Sequence, residues 1–200
     1  MRIHQFLPMA VFCFVAVLSA KKTVETVEQK LQWARETIDT HAVTHHFERP
    51  AKSSDTKWQV TKIEGCSIEL KETIHRESPD SEVTADGAFG LSEDKVVTWA
   101  FDLANLLPRF IMADEAGGAH VTISSAHDTF HSKTDVVSRT LRKDGTTLKT
   151  STWSSPGAAQ NLWIYFDSPD ADNSKLVKDI VLDLRDAAYQ CSLKANYHRW

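Results

Sequence analysis

Three groups of side chains in this 200-residue chain have types and spacings that could do chemistry. The first is histidine. His41, His45 and His46 lie close together, and His41 and His45 would share one face if a helix ran that far. His127 and His131 repeat the i, i+4 spacing, with Asp128 between them. Zinc sites often use such a pair plus a third ligand. Both groups fall in stretches that read as irregular, where the spacing fixes no geometry, and the third ligand is missing from the pattern. The second group is Ser124, Ser125, His127 and Asp128. These are local neighbours, whereas a Ser-His-Asp triad draws its members from distant segments and seats the serine on a strained turn. No Gly-x-Ser-x-Gly is present. Gly117-Gly118 lacks the lysine and helix pattern of a phosphate loop, and 27 acidic residues make chance carboxylate pairs uninformative. No catalytic residue and no cofactor are assigned; His41, His45, His127 and His131 are the metal candidates.

The third group is aromatic. Trp153, Trp163 and Tyr165 fall in two neighbouring strand-like runs. Within 161–167, Leu162, Ile164 and Phe166 face one way, and Trp163 and Tyr165 the other. Open to solvent, these rings would form an apolar platform for a glycan, an apolar small molecule or a protein. Covered, they would seat an N-terminal helix, with Trp33 packed on them. The sequence favours the covered arrangement, because that helix carries an apolar stripe that must be buried somewhere.

The cysteines carry structural chemistry. Residues 1–20 have one basic residue, Arg2, then an almost wholly apolar run from Phe6 that ends in Ser19 and Ala20. That is the pattern of a secretory signal peptide, and the run is shorter than the roughly 20 residues a membrane-spanning helix needs. Cys13 leaves with it. Cys66 and Cys191 remain, in a compartment that oxidises thiols. Cys66, Ile68 and Leu70 alternate with polar residues, and Val177, Leu184 and Cys191 recur by sevens on the stripe of a terminal helix, so both sulfurs face inward. A bridge between them would close a loop of about 125 residues and contribute on the order of 4–5 kcal/mol.

The elements that must position these groups follow from periodicity. Cleavage would leave 180 residues with 22 basic and 27 acidic side chains, net charge −5. A weakly acidic chain with interspersed charges has no general attraction to phosphate backbones, so nucleic acid is a poor partner. No membrane insertion is expected after cleavage. A helix is expected from Thr23 to Thr40, capped by Thr23 or Thr26, then loop from His41 to Thr56. Strands follow at Lys57–Glu64 and Cys66–Arg76 around Gly65, then a long polar loop over 77–94, a strand at Lys95–Asp102, and a helical turn stopped by Pro108. A turn is read at 114–119 and a strand at Val121–Ser125. Asp144-Gly145 joins runs 135–143 and 146–154 in a hairpin with a type I′ turn. Ser168 caps the final helix, Pro169 opens it, and it ends near Cys191.

One helix, about seven consecutive strands and a closing amphipathic helix give an α+β fold: a strongly bent antiparallel sheet or small barrel with a helix at each end. The divisions are a signal at 1–20, helix and loop at 21–56, the sheet with its helix at 57–192, and a tail at 193–200. From Trp58 to Cys191 this order resembles the pleckstrin-homology-like superfold. Where that family binds inositol phosphates, it uses a basic cluster between its first two strands. Here that connection is Ile63-Glu64-Gly65-Cys66, so the activity does not carry over. The expected function is a non-catalytic binding or scaffolding domain of unknown partner, periplasmic or secreted. The alternatives are a metal-assisted hydrolase using His127 and His131 and an envelope assembly subunit that pairs through a strand edge.

Overall fold

The computed structural model describes residues 26–49, 52–78, 87–115, 119–125, 130–167 and 172–197. Helix α1 spans Val27–His41. Its start is a capping box: Thr26 Oγ1 accepts from the Gln29 N–H at 3.2 Å, and Gln29 Oε1 accepts from the Thr26 N–H at 2.9 Å. Its stripe of Val27, Leu31, Ala34 and Ile38 is buried. After Ala42 the described residues form nine strands: β1 Val43–Arg49, β2 Lys52–Glu64, β3 Ser67–Ser78, β4 Gly90–Asp102, β5 Ile111–Asp114, β6 His120–Ser124, β7 Phe130–Leu141, β8 Thr147–Ala159 and β9 Asn161–Tyr165. Helix α2, Asn173–Tyr197, closes it.

The strands form two antiparallel sheets. One has six strands in the order β1-β2-β3-β4-β7-β8, and the other has three in the order β5-β6-β9. The expected α+β class, antiparallel pairing and terminal helices are therefore present, but neither sheet closes on itself, so no small barrel forms. Helix α2 lies against α1, β5, β6 and the 3-10 turn at Leu103–Asn105. Its buried seam is Val177, Ile180, Val181, Leu184, Ala187, Ala188 and Cys191. The same buried cluster holds Ile111, Val121, Ile123, Leu162 and Ile164 from the small sheet and Val60, Ile68 and Leu70 from the large one. Polar ties lock the same junction. Arg185 Nε donates to the Ile111 carbonyl at 2.7 Å, Lys178 pairs with Glu115 at 2.8 Å, and Lys30 of α1 reaches Asp186 at 2.9 Å.

The Cys66–Cys191 disulfide is formed, with Cα atoms 5.8 Å apart. Cys66 sits in the β2–β3 turn, where Gly65 adopts φ +59°, a conformation that favours glycine. The Cys66 carbonyl accepts from the Leu103 N–H at 2.9 Å, which ties that turn to the segment beneath α2.

Several expectations are corrected. The stretch 41–56, read as loop, holds β1 and the start of β2. Its residues carry no clean alternation; β1 is kept extended by its ladder to β2, and the start of β2 by its ladder to β3 from Ser53↔Glu77 onward. Pairing of β3 with β4 reaches Ser78↔Leu91, and pairing with β7 starts β4 at Gly90, so 77–78 and 90–94 are strand rather than polar loop; 79–86 lie outside the described residues. Strand β5 was not anticipated, being four residues between Pro108 and the glycines at 117–118. The Asp144-Gly145 hairpin forms, but not as type I′. Only Gly145 has positive φ, at +80°, and its N–H bonds to the Arg142 carbonyl at 2.9 Å while Arg142 N–H bonds to Thr146. That is a type I turn with glycine in the left-handed position, which spares Asp144 a strained backbone. Helix α2 starts at Asn173 and runs to Tyr197 rather than Cys191. Its cap is Asp172, whose Oδ1 accepts from the Lys175 N–H at 3.2 Å; Ser168 and Pro169 lie outside the described residues.

Two stability predictions follow from this packing. Replacing both Cys66 and Cys191 by serine lowers the unfolding free energy by on the order of 4–5 kcal/mol and the melting temperature by roughly 10–20 °C. Ile180→Ala, which opens a void in the α2 seam, costs about 2–5 kcal/mol in urea titrations. A loss under about 1 kcal/mol for Ile180→Ala would mean that α2 is not packed as described.

Candidate functional site

The small sheet has two chemically distinct faces. Cross-strand rows Ile111–Ile123–Leu162 and Ala113–Val121–Ile164 face the core. The intervening rows, Met112–Thr122–Trp163 and Asp114–His120–Tyr165, face outward. Strict alternation along β9 dictates this: burying Leu162, Ile164 and Phe166 turns Trp163 and Tyr165 out. Trp163 is 46% exposed, Tyr165 38% and Met112 43%. Between them the middle strand is low. His120 and Thr122 are buried beneath their neighbours, and the His120 and Tyr165 rings stack with centroids 4.7 Å apart. The result is a shallow platform with aromatic and thioether flanks, a polar floor, and Asp114 on one margin.

Helix α1 does not cover this platform, which corrects the favoured sequence reading. Its stripe packs chiefly on α2 and β2, and Leu31, Ala34 and Ile38 approach the inner side of β9, where Ile164 lies. Trp33 is itself 39% exposed. Trp153 is not part of the platform either. It belongs to β8 of the large sheet, opposite Val136, while β9 pairs with β6. Gln160 marks the switch between sheets, so proximity in sequence does not become proximity across strands. The apolar recess where the helices meet both sheets holds about 20 Å³, room for no more than a water molecule.

Of the histidine spacings, that of His41 and His45 falls on the described backbone. Helix α1 ends at His41, and His45 lies on β1, so their helical relation is lost. His131 is the second residue of β7 and is exposed, and His127 and Asp128 lie outside the described residues. Among the described residues, no three His, Cys, Asp or Glu side chains group to hold a metal ion.

Sequence reasoning missed two groups that strand register alone brings together. On the face of the large sheet away from the core, His75 stands opposite Asp94. His75 Nδ1 lies 2.7 Å from Asp94 Oδ1, and Nε2 lies 3.2 Å from Glu77 Oε1; Arg139 bonds the second Asp94 oxygen. The hydrogen bond to Asp94 holds His75 above its ordinary pKa. The Arg139 guanidinium, and then His75, hold Asp94 below the ordinary carboxylate range. On the core-side face Glu72 lies beside Val97 and Trp58, and burial pushes its carboxyl up. A polar groove of about 380 Å³ at the far end of this sheet is lined by residues including Ser54, Arg76, Leu91 and Glu93.

Comparison with protein-family models, with curated proteins and with solved structures finds no match to this chain.

The His75 network makes stability pH-dependent in a defined direction. A raised histidine contributes fully below about pH 6.5 and loses its contribution as pH rises through its folded value. Asp94, being lowered, contributes above about pH 3.9 and loses its share as pH falls through its own folded value. The stability gap between wild type and His75→Gln is therefore greatest at about pH 5–6 and shrinks as pH rises beyond about 6.5 in urea titrations. A gap that widens with rising pH contradicts the network.

Proposed function

We propose that this chain is an exported, non-catalytic binding domain whose contact surface is the outer face of the β5-β6-β9 sheet. The observation that carries this reading is the exposure of Trp163 and Tyr165, two residues apart on one short strand, with Met112 across from Trp163. Rigid aromatic side chains cost little entropy when immobilised and offer large contact area, and an exposed group of them usually has a partner. The filled junction beneath the helices favours a surface contact over an enclosed small molecule. Export is supported by the pattern of the first twenty residues together with the Cys66–Cys191 bridge. Two antiparallel sheets followed by a C-terminal helix also support reading the fold as an opened relative of the pleckstrin-homology-like plan.

The test is a binding screen against soluble glycans and protein ligands, followed by tryptophan fluorescence. A partner that uses the platform binds at least about tenfold more weakly to Trp163→Ala and Tyr165→Ala, and unchanged to Trp153→Ala. A partner bound equally well by the Trp163→Ala/Tyr165→Ala double variant overturns the assignment.

A further inference from the structure

Two sheets leave four edges, and three of them carry features that discourage pairing. Strand β5 has four residues and β9 has five. Strand β1 is bulged between Phe47 and Arg49 and includes Glu48 and Arg49. Strand β8 is different. It is 13 residues long, its residues are exposed on both faces over most of its length, and Lys149 is its only charged residue. Among the described residues no strand pairs with its outer edge. Its irregularity against β7 is confined to Thr147–Lys149 and its proline is Pro156, so the regular, uncharged stretch from Thr150 to Ser155 is an open template for another strand.

We infer that β8 is the contact surface for a second copy of this chain, paired antiparallel and edge to edge around a two-fold axis at Ser151. The composition of the strand selects this occupant and register. Pro156 has no N–H, and within a sheet proline sits where that missing donor faces outward. Its alternating companions Thr150, Thr152 and Ser154 then turn their backbone N–H and C=O groups to the open edge. Pairing Thr150 with Thr152 of the second copy satisfies those groups in both directions and leaves Pro156 beyond the paired stretch. In that register Ser151 meets Ser151, and Lys149 stands opposite Trp153 on the same face. Lys149 makes no ion pair among the described residues, and Trp153 is 48% exposed. Each copy's ammonium is thereby set against the other's indole, a cation–π contact made twice. Threonine pairs across strands add to it. A single lysine that would deter random pairing becomes complementary in one register, and the two-fold operation closes the assembly at two copies.

Light scattering of the purified full chain at rising concentration gives a dimer. Ser151→Lys, which places two ammonium groups together on the axis, raises the dimer Kd at least about tenfold, and at dilutions where both proteins are monomers its melting matches wild type because Ser151 is exposed. Ser151→Cys links to its own copy under mild air oxidation, because directly opposed residues meet disulfide geometry. Ser155→Cys does not, because its two copies would lie about 26 Å apart. A monomer at every concentration overturns the inference. So does a dimer that Ser151→Lys leaves intact, or cross-linking through Ser155→Cys as efficient as through Ser151→Cys.

Discussion

The structure depends on where helix α2 can bury its seam. Val177, Ile180, Val181, Leu184, Ala187, Ala188 and Cys191 are all buried. Helix α2 lies on β5 and β6 of the small sheet, on the 3-10 turn that follows β4 and on α1, and α1 in turn lies on β2 of the large sheet. Through these contacts α2 joins the two sheets in one buried cluster. The disulfide fixes the end of that seam to the β2–β3 turn, and Arg185 and Lys178 fix its middle and start to the β5 segment. Helix α1 then closes the remaining side.

This division of labour explains why the surfaces differ. The small sheet turns one face to the core, and among the described residues no second layer covers the other, so strict alternation exposes Trp163 and Tyr165. The large sheet is longer than the core needs. Ile74, Val97 and Val136 are buried on its core-side face but lie outside the main cluster. Beyond them the strands are held by ladder hydrogen bonds and by polar contacts such as His75–Asp94–Arg139. Strand β8 forms the outer margin of this extension, with little side-chain burial of its own.

Much of this was legible in the residues, and the boundary has a physical cause. Local periodicity exposed α1, the β9 alternation, the α2 stripe and the two inward sulfurs, because each is set by burial against a core. What escaped depended on partners. The polar strands β1 and early β2 have no pattern of their own and are extended because a neighbour pairs with them. The separation of Trp153 from Trp163 was also hidden, since only strand pairing shows that the chain changes sheets at Gln160. His75, Asp94 and Arg139 come from three strands, and no spacing along the chain announces them.

Native-state hydrogen exchange tests the central role of α2 most directly. If the helix joins both sheets in one core, its amides from Val177 to Cys191 exchange only through global unfolding. They then share the protection of β6, β9 and the part of β3 around Ile68 and Leu70. A helix whose amides exchange by a separate, lower-energy opening while both sheets stay protected would contradict the account.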